Sequence, residues 1–378
     1  MTDSASARKL NGGLARASYH RVMRTLFIGA ALGIMFLASL AAAAPGTATK
    51  QVRKTSGPVL ALAADGARAA FIVRGRFEQC MSVMVWEPQL RRAHRLQAAR
   101  ACETNDRSGA RPGPPAVALA GTRAVWLQVG GGHTLETAVR TATVARPTPV
   151  TLAVESAEDG VVGTFARPPA GDRSVLAFTI DKNCLPGSEL NPCPPGHESG
   201  GIIEATVWRL GGKGRCPWVV RGKPVPCSPI AKAANELTVL ALDAGRIAAR
   251  TESGIKLLTG AGDVVQEIAV TGVEKAALSG KRLAVQTTNA IEVYDTDTGQ
   301  LSARFASLSG VRLEDLDRDI LVTASGGTVT LRRLGDGSTT TIRAGRPAFA
   351  QLEPSGLFVA GSRRVTFTPM RGRRRLGG

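Results

Sequence analysis

Aromatic residues make up only 4% of the 378 residues, and histidine occurs four times. An apolar content of 43% must therefore be carried mostly by Val, Ala, Leu and Ile, which makes a small-residue and β-branched interior. No GxSxG, HExxH, P-loop or GxGxxG run occurs, so the motif-bearing hydrolase, zinc-peptidase and nucleotide-binding classes have no support. Acidic residues are also in deficit, with 30 Asp and Glu against 48 Lys and Arg and a formal charge of +18. The basic residues are spread over the chain and are not clustered with stacking aromatics, which argues against specific nucleic-acid binding. The surplus suits contact with anionic polymers, phospholipid headgroups or an acidic partner.

From Leu26 to Ala44 the chain carries no charge, and Arg21 and Arg24 stand directly before that run. A basic segment, an apolar segment and the small residues Ala41 to Ala43 describe a secretory signal, with cleavage before Ala44. The run is also just long enough to span a bilayer as an uncleaved helix. In that case the positive-inside rule leaves residues 45 onward outside the cytoplasm. Residues 1–43 are thus a signal peptide or an N-terminal membrane anchor, and both readings place the domain in a secreted or cell-envelope compartment of bacterial type. Membrane contact is expected only through residues 26–44, if they are retained.

The first 50 residues hold no cysteine, which excludes a lipid-modified N-terminus. The six cysteines are Cys80, Cys102, Cys184, Cys193, Cys216 and Cys227, an even count that reads as disulfides in an exported chain. No CxxC pair is present and His197 is the only histidine near the cluster, so no metal and no cofactor are expected. Proximity favours Cys80 with Cys102, Cys184 with Cys193 and Cys216 with Cys227. The last pair is open: Cys216 to Cys227 reads either as a small hairpin with bridged ends or as a strand whose two ends are too far apart to bridge.

The strongest pattern is a four-fold echo. AGRIAARTESGIKLL, GKRLAVQTTNAIEVY, DRDILVTASGGTVTL and PSGLFVAGSRRVTFT recur every 36 or 37 residues, with corresponding positions at Arg246, Arg282, Asp319 and Gly356. Each copy reads as a short apolar strand, a polar turn and a second strand. The pair can be found seven times, beginning near Pro58, Pro115, Gly160, Leu237, Val273, Val311 and Pro347. Asp65-Gly66, Ala244-Gly245, Ser279-Gly280 and Ser355-Gly356 put glycine where a hairpin needs positive φ. Strands C and D of the fifth blade follow in Ala290 to Phe305, turning at Asp295 to Gly299. These signals predict an all-β fold, a seven-bladed β-propeller of four-stranded antiparallel blades over residues 47–370, preceded by an N-terminal hydrophobic helix and followed by a basic tail, residues 371–378. The last blade lacks a fourth strand, and residues 47–54 are expected to supply it and close the ring.

The blade form AVQTTNAIEVYDTDTGQLSARF resembles the repeats of the WD-repeat and quinoprotein-like propeller superfamily, with copies covering roughly Thr47 to Met370. The Gly-His and Trp-Asp dipeptides of true WD repeats are absent, and Trp86, Trp126, Trp208 and Trp218 share no repeat position. The resemblance implies a binding scaffold more often than an enzyme, although fold by itself does not fix function.

In such a ring the B–C and D–A connections share one face and the A–B and C–D connections the other. The long insertions at Arg74 to Cys80, Arg100 to Pro115 and Asp181 to Gly201 all fall on the first face, over blades one to three. That face is the expected site, with His133, His197 and Glu198 as candidate binding residues and a protein or an anionic envelope polymer as partner to a monomeric propeller. A propeller-fold hydrolase or lyase, with its site on the same face or in the central channel, is the alternative. Glu314, Asp315, Asp317 and Asp319 resemble a calcium set in composition but fall at an A–B turn, where a solvated acidic hairpin is expected.

Overall fold

The computed structural model describes residues 49–370 apart from 76–79, 99–114, 131–134, 158–162, 185–192, 217–224 and 308. The expected N-terminal hydrophobic helix, the basic tail and the candidate His133 lie outside the described residues. Among the described residues no helix is long and apolar enough to cross a membrane. The one helical turn there is a 3₁₀ turn at Pro88–Leu90.

Seven antiparallel sheets follow one another around an axis, and in all but the last the strands A to D run in chain order. Blade one is Val59–Asp65, Arg68–Arg74, Met81–Glu87 and Arg92–Gln97, and blade two is Ala116–Ala120, Arg123–Gly130, Leu135–Thr143 and Arg146–Ala157. Blades four to six keep the short regular form: Thr238–Asp243 to Val264–Ala269, Val273–Ser279 to Leu301–Ala306, and Arg312–Asp317 to Thr339–Arg343. Blade seven is Ala348–Glu353, Gly356–Gly361 and Arg364–Pro369, and its outer strand is Gln51–Lys54, paired so that Gln51 faces Phe367 and Lys54 faces Arg364. The first and last described strands are thereby hydrogen-bonded in one sheet, which closes the ring between blades seven and one. The seven-bladed β-propeller read from the blade pattern is what the strand pairing shows.

Blade three departs from the others. Pro168 and Pro169 cannot donate to a sheet ladder, so its strand A is split into Gly163–Ala166 and Ala170–Asp172, both paired to strand B, Val175–Cys184. Strands B, C (Gly201–Arg215) and D (Pro226–Ala233) run far beyond the six residues usual in blades four to six.

The core is a set of seven seams, one between each pair of neighbouring blades, built mainly from Ala, Val, Leu and Ile. The scarce aromatics gather at the seam between blades seven and one. There Phe71, Trp86, Phe358 and Phe367 are all buried, Trp86 meets Phe358 edge-on at 6.4 Å, and Phe358 lies 4.6 Å from Phe367. Large rings add pairwise attraction to the area they bury, so the seam between blades seven and one is reinforced beyond its aliphatic packing.

The A–B turns explain much of the sequence punctuation. In six blades the first turn residue has positive φ: Gly66, Gly121, Arg173, Ala244, Gly280 and Arg318, between 49° and 58°. Blade seven has Pro354 at that place, whose ring forbids such a φ, and its turn differs. Gly356 is therefore not the turn glycine its context predicts. It opens strand B, where an added Cβ would stand 2.4 Å from the carbonyl oxygen of Thr368.

Candidate functional site

Strand A ends at an A–B turn, so those turns line one mouth of the central channel and the B–C insertions rise from the opposite face. On the insertion face, blade three continues as a ribbon in which strand B pairs with strand A as far as Asn183 and with strand C as far as the pair Cys184 and Gly201, with a bulge at Lys182 and Asn183. Cys184 is bridged to Cys193, with Cα atoms 5.6 Å apart, which ties the insertion back to the top of strand B. At the ribbon's root Asp181 is fully buried and takes a 2.5 Å bond from Nε of Arg167 and a 3.0 Å bond from Nδ2 of Asn183. Burial pushes this carboxyl up, and Arg167 opposes that shift. Arg167 reaches it because the Pro168-Pro169 break ends the first segment of strand A directly beside it. This anchor was not among the sequence candidates, although an Arg abutting a double proline in a strand is its visible signal.

Beyond the bridge, His197 and Glu198 sit in a tight turn. The His197 N–H donates to the Pro194 carbonyl at 3.0 Å, and Gly200 N–H donates to the His197 carbonyl at 2.8 Å. Glu198 is exposed and accepts from Gly196 N–H at 2.9 Å, and such backbone donors hold its carboxyl below the usual range. Its carboxylate thus serves as a turn acceptor beside a half-buried imidazole. Blade one adds a second brace to this face, because Cys80, at the end of its B–C loop, is disulfide-bonded; Cys102, the expected partner, lies outside the described residues.

The third bridge belongs elsewhere. Arg215 pairs with Pro226, Cys216 N–H donates to the Val225 carbonyl at 3.2 Å, and Cys216 is bridged to Cys227 at a Cα distance of 4.7 Å. Of the two readings left open, the bridged hairpin is the one observed. As the C–D turn of blade three it lies on the face opposite the insertions.

That opposite face holds the group that sequence reasoning missed. Strand A ends in an acid in five blades, at Asp65, Asp172, Asp243, Asp317 and Glu353, and these surround a cavity of about 390 Å³ at the channel mouth. Most of them reach across to the next blade. Glu353 accepts from Gly66 N–H at 3.0 Å, Asp65 from Gly121 N–H, Asp172 from Ala244 N–H at 2.7 Å and Asp243 from Gly280 N–H at 2.6 Å. Ser279 takes the same part toward Arg318 N–H at 2.9 Å. Pro354 has no N–H to offer, and at that junction Asp315 accepts from Leu352 N–H at 2.6 Å instead.

The acidic run at 314–319 is consequently not a solvated hairpin. Glu314 and Asp315 belong to strand A, Glu314 is buried at 5% exposure, and only the segment after Asp317 turns. Burial pushes Asp315 up to about 7. Burial, and then the charge of Asp315, pushes Glu353 up to about 8. Among the described residues no group of three or more His, Cys, Asp or Glu is arranged to hold a metal ion. Four of the five carboxylates accept from a backbone donor of the next blade, which makes this mouth a partial ring of inter-blade staples.

No protein-family model matches the chain, and no curated sequence matches it. Solved structures do resemble it in fold. Saccharomyces cerevisiae Sqt1 aligns at 8% identity and a TM-score of 0.44, covering 85% of this chain and 98% of its own. Hsv2 of Kluyvelomyces marxianus aligns at 10% identity and 0.46, covering 80% and 89%, and Raptor of Chaetomium thermophilum at 11% and 0.46, covering 85% of this chain but 28% of that one. The described chain is a seven-bladed β-propeller with disulfide-braced insertions on one face and a carboxylate ring on the other.

Proposed function

We propose that this protein is an exported binding scaffold that recognises a protein or an anionic envelope polymer through the insertions of blades one to three. The observation that supports it is the placement of the braces: Cys184–Cys193 and the bonded Cys80 both stiffen connections on one face, above a regular ring. A pre-stiffened loop loses less entropy when a partner settles on it. The disulfides suit an oxidising compartment, in keeping with an exported chain. His197 and Glu198 are assigned as its contact residues, with His133 as a further candidate from the sequence, and the surplus of basic side chains favours an acidic partner.

The test replaces residues 185–199 with a short Gly-Ser turn, together with Cys184→Ser because Cys193 is removed, which keeps the Asn183 bond to Asp181, and compares the variant with the parent in capture experiments. One arm uses envelope proteins and the other immobilised acidic polysaccharide. The reading requires an unchanged propeller melting transition and lost capture in one arm. Capture retained in both arms would contradict it.

A further inference from the structure

The connections around blade six, outside the insertions of blades one to three, frame a cavity of about 510 Å³. That volume lies within the range of small-molecule sites. It is built from three places: Ser309 and Arg312 where the chain enters strand A, Ser325, Gly326 and Gly327 at the B–C turn, and Arg346 on the link to blade seven. No acidic residue lines it, in contrast to the channel mouth on the other face.

The two arginines are held from opposite sides. Arg312 donates to the Ala348 carbonyl, lies 5.0 Å over the ring of Phe349, and is paired with the buried Glu314 at 3.1 Å. Lys275 also faces Glu314, at 3.9 Å, so one carboxylate stands against two cations beneath the cavity floor. Arg346 adds a third positive charge and has no carboxylate partner among the described residues. Its Nε donates to the Gly326 carbonyl at 3.2 Å. Its stem packs on Gly327, where an added Cβ would lie 3.1 Å from Cγ of Arg346. The fork is thereby oriented while its terminal nitrogens are left for a ligand. Gly326 and Gly327 both have positive φ, at 55° and 90°, a conformation other side chains rarely adopt, so the turn stays bare and the arginine can lie across it.

We propose that this cavity binds an oxyanion, a phosphate, sulfate or carboxylate group, with Arg346 as the principal ligand and Arg312 as its pre-positioned partner. A planar guanidinium matches such groups in two-point geometry, and a cavity with cations and hydroxyls but no acid selects for them. The inference is independent of the recognition proposed for blades one to three.

The test uses the full chain in titration calorimetry with inorganic pyrophosphate, and in co-sedimentation with phosphatidylglycerol vesicles against phosphatidylcholine vesicles. Arg346→Ala is compared with Arg343→Ala, an exposed arginine that does not line the cavity. Circular dichroism confirms that both variants fold. Arg346→Ala should weaken binding at least ten-fold and Arg343→Ala less than two-fold. Loss in the pyrophosphate arm assigns a soluble ligand, and loss in the vesicle arm alone assigns a lipid headgroup. No binding in either arm, or equal loss in the two variants, would overturn the proposal.

Discussion

The backbone N–H of Gly66 donates to Oε2 of Glu353 at 3.0 Å, joining residues 287 apart in sequence across the seam where the ring closes. The same carboxylate lies among Asp65, Asp172 and Asp315, so the staple that closes the ring is also the most electrostatically crowded. Glu353→Ala removes the acceptor of the exposed Gly66 donor, which water can then satisfy, and is expected to cost about 0.5–1.5 kcal/mol. Chemical denaturation at pH 6 measures it.

Glu353→Gln keeps an acceptor oxygen and removes the charge, so its effect depends on pH. The folded-state pKa of Glu353, about 8, lies above its ordinary value of 4.5, so between those values the folded state binds more protons than the unfolded one. Stability from this group is full below pH 4.5 and is lost as pH rises through 8. Asp315, at about 7 against 3.8, acts in the same sense. Melting temperatures at pH 5 and pH 9 should converge in Glu353→Gln, mainly by a gain of roughly 2–8 °C at pH 9. An unchanged difference would contradict this account of the ring.

Phe358 is fully buried and touches both Trp86 and Phe367. Phe358→Ala should therefore cost about 3–5 kcal/mol, near the top of the range for core truncations. An alanine at the exposed Leu301 should cost little, and equilibrium unfolding distinguishes the two.

Thr179 is fully buried, and its hydroxyl both donates to the Leu237 carbonyl at 3.1 Å and accepts from Val239 N–H at 3.0 Å, across the seam between blades three and four. Thr179→Val keeps the shape but strands both groups. A loss of about 1–3 kcal/mol is expected in the same unfolding assay.

Much of the ring is legible in the sequence, because a strand period of 36 or 37 residues with polar turns leaves few other architectures. The four regular blades were readable for that reason. The hairpin at Cys216 to Cys227 was not, since a bridge and a strand impose the same spacing on two cysteines. The acids at strand-A ends share a repeat position, but polar residues beside turns ordinarily read as solvated. Only the axis, which brings the turns of all seven blades together, turns them into partners. Gly356 misled for a related reason: close approach of Thr368 and a turn both call for glycine, and sequence alone does not separate them.

The central claim is that recognition belongs to the insertion face of blades one to three. A photo-crosslinking residue at Glu198, exposed on that face, is compared with one at Asp336, exposed at the C–D turn of blade six on the other. Irradiation in intact envelopes should yield a discrete adduct from position 198 and none from position 336. Adducts from both positions alike, or from 336 alone, would contradict the account.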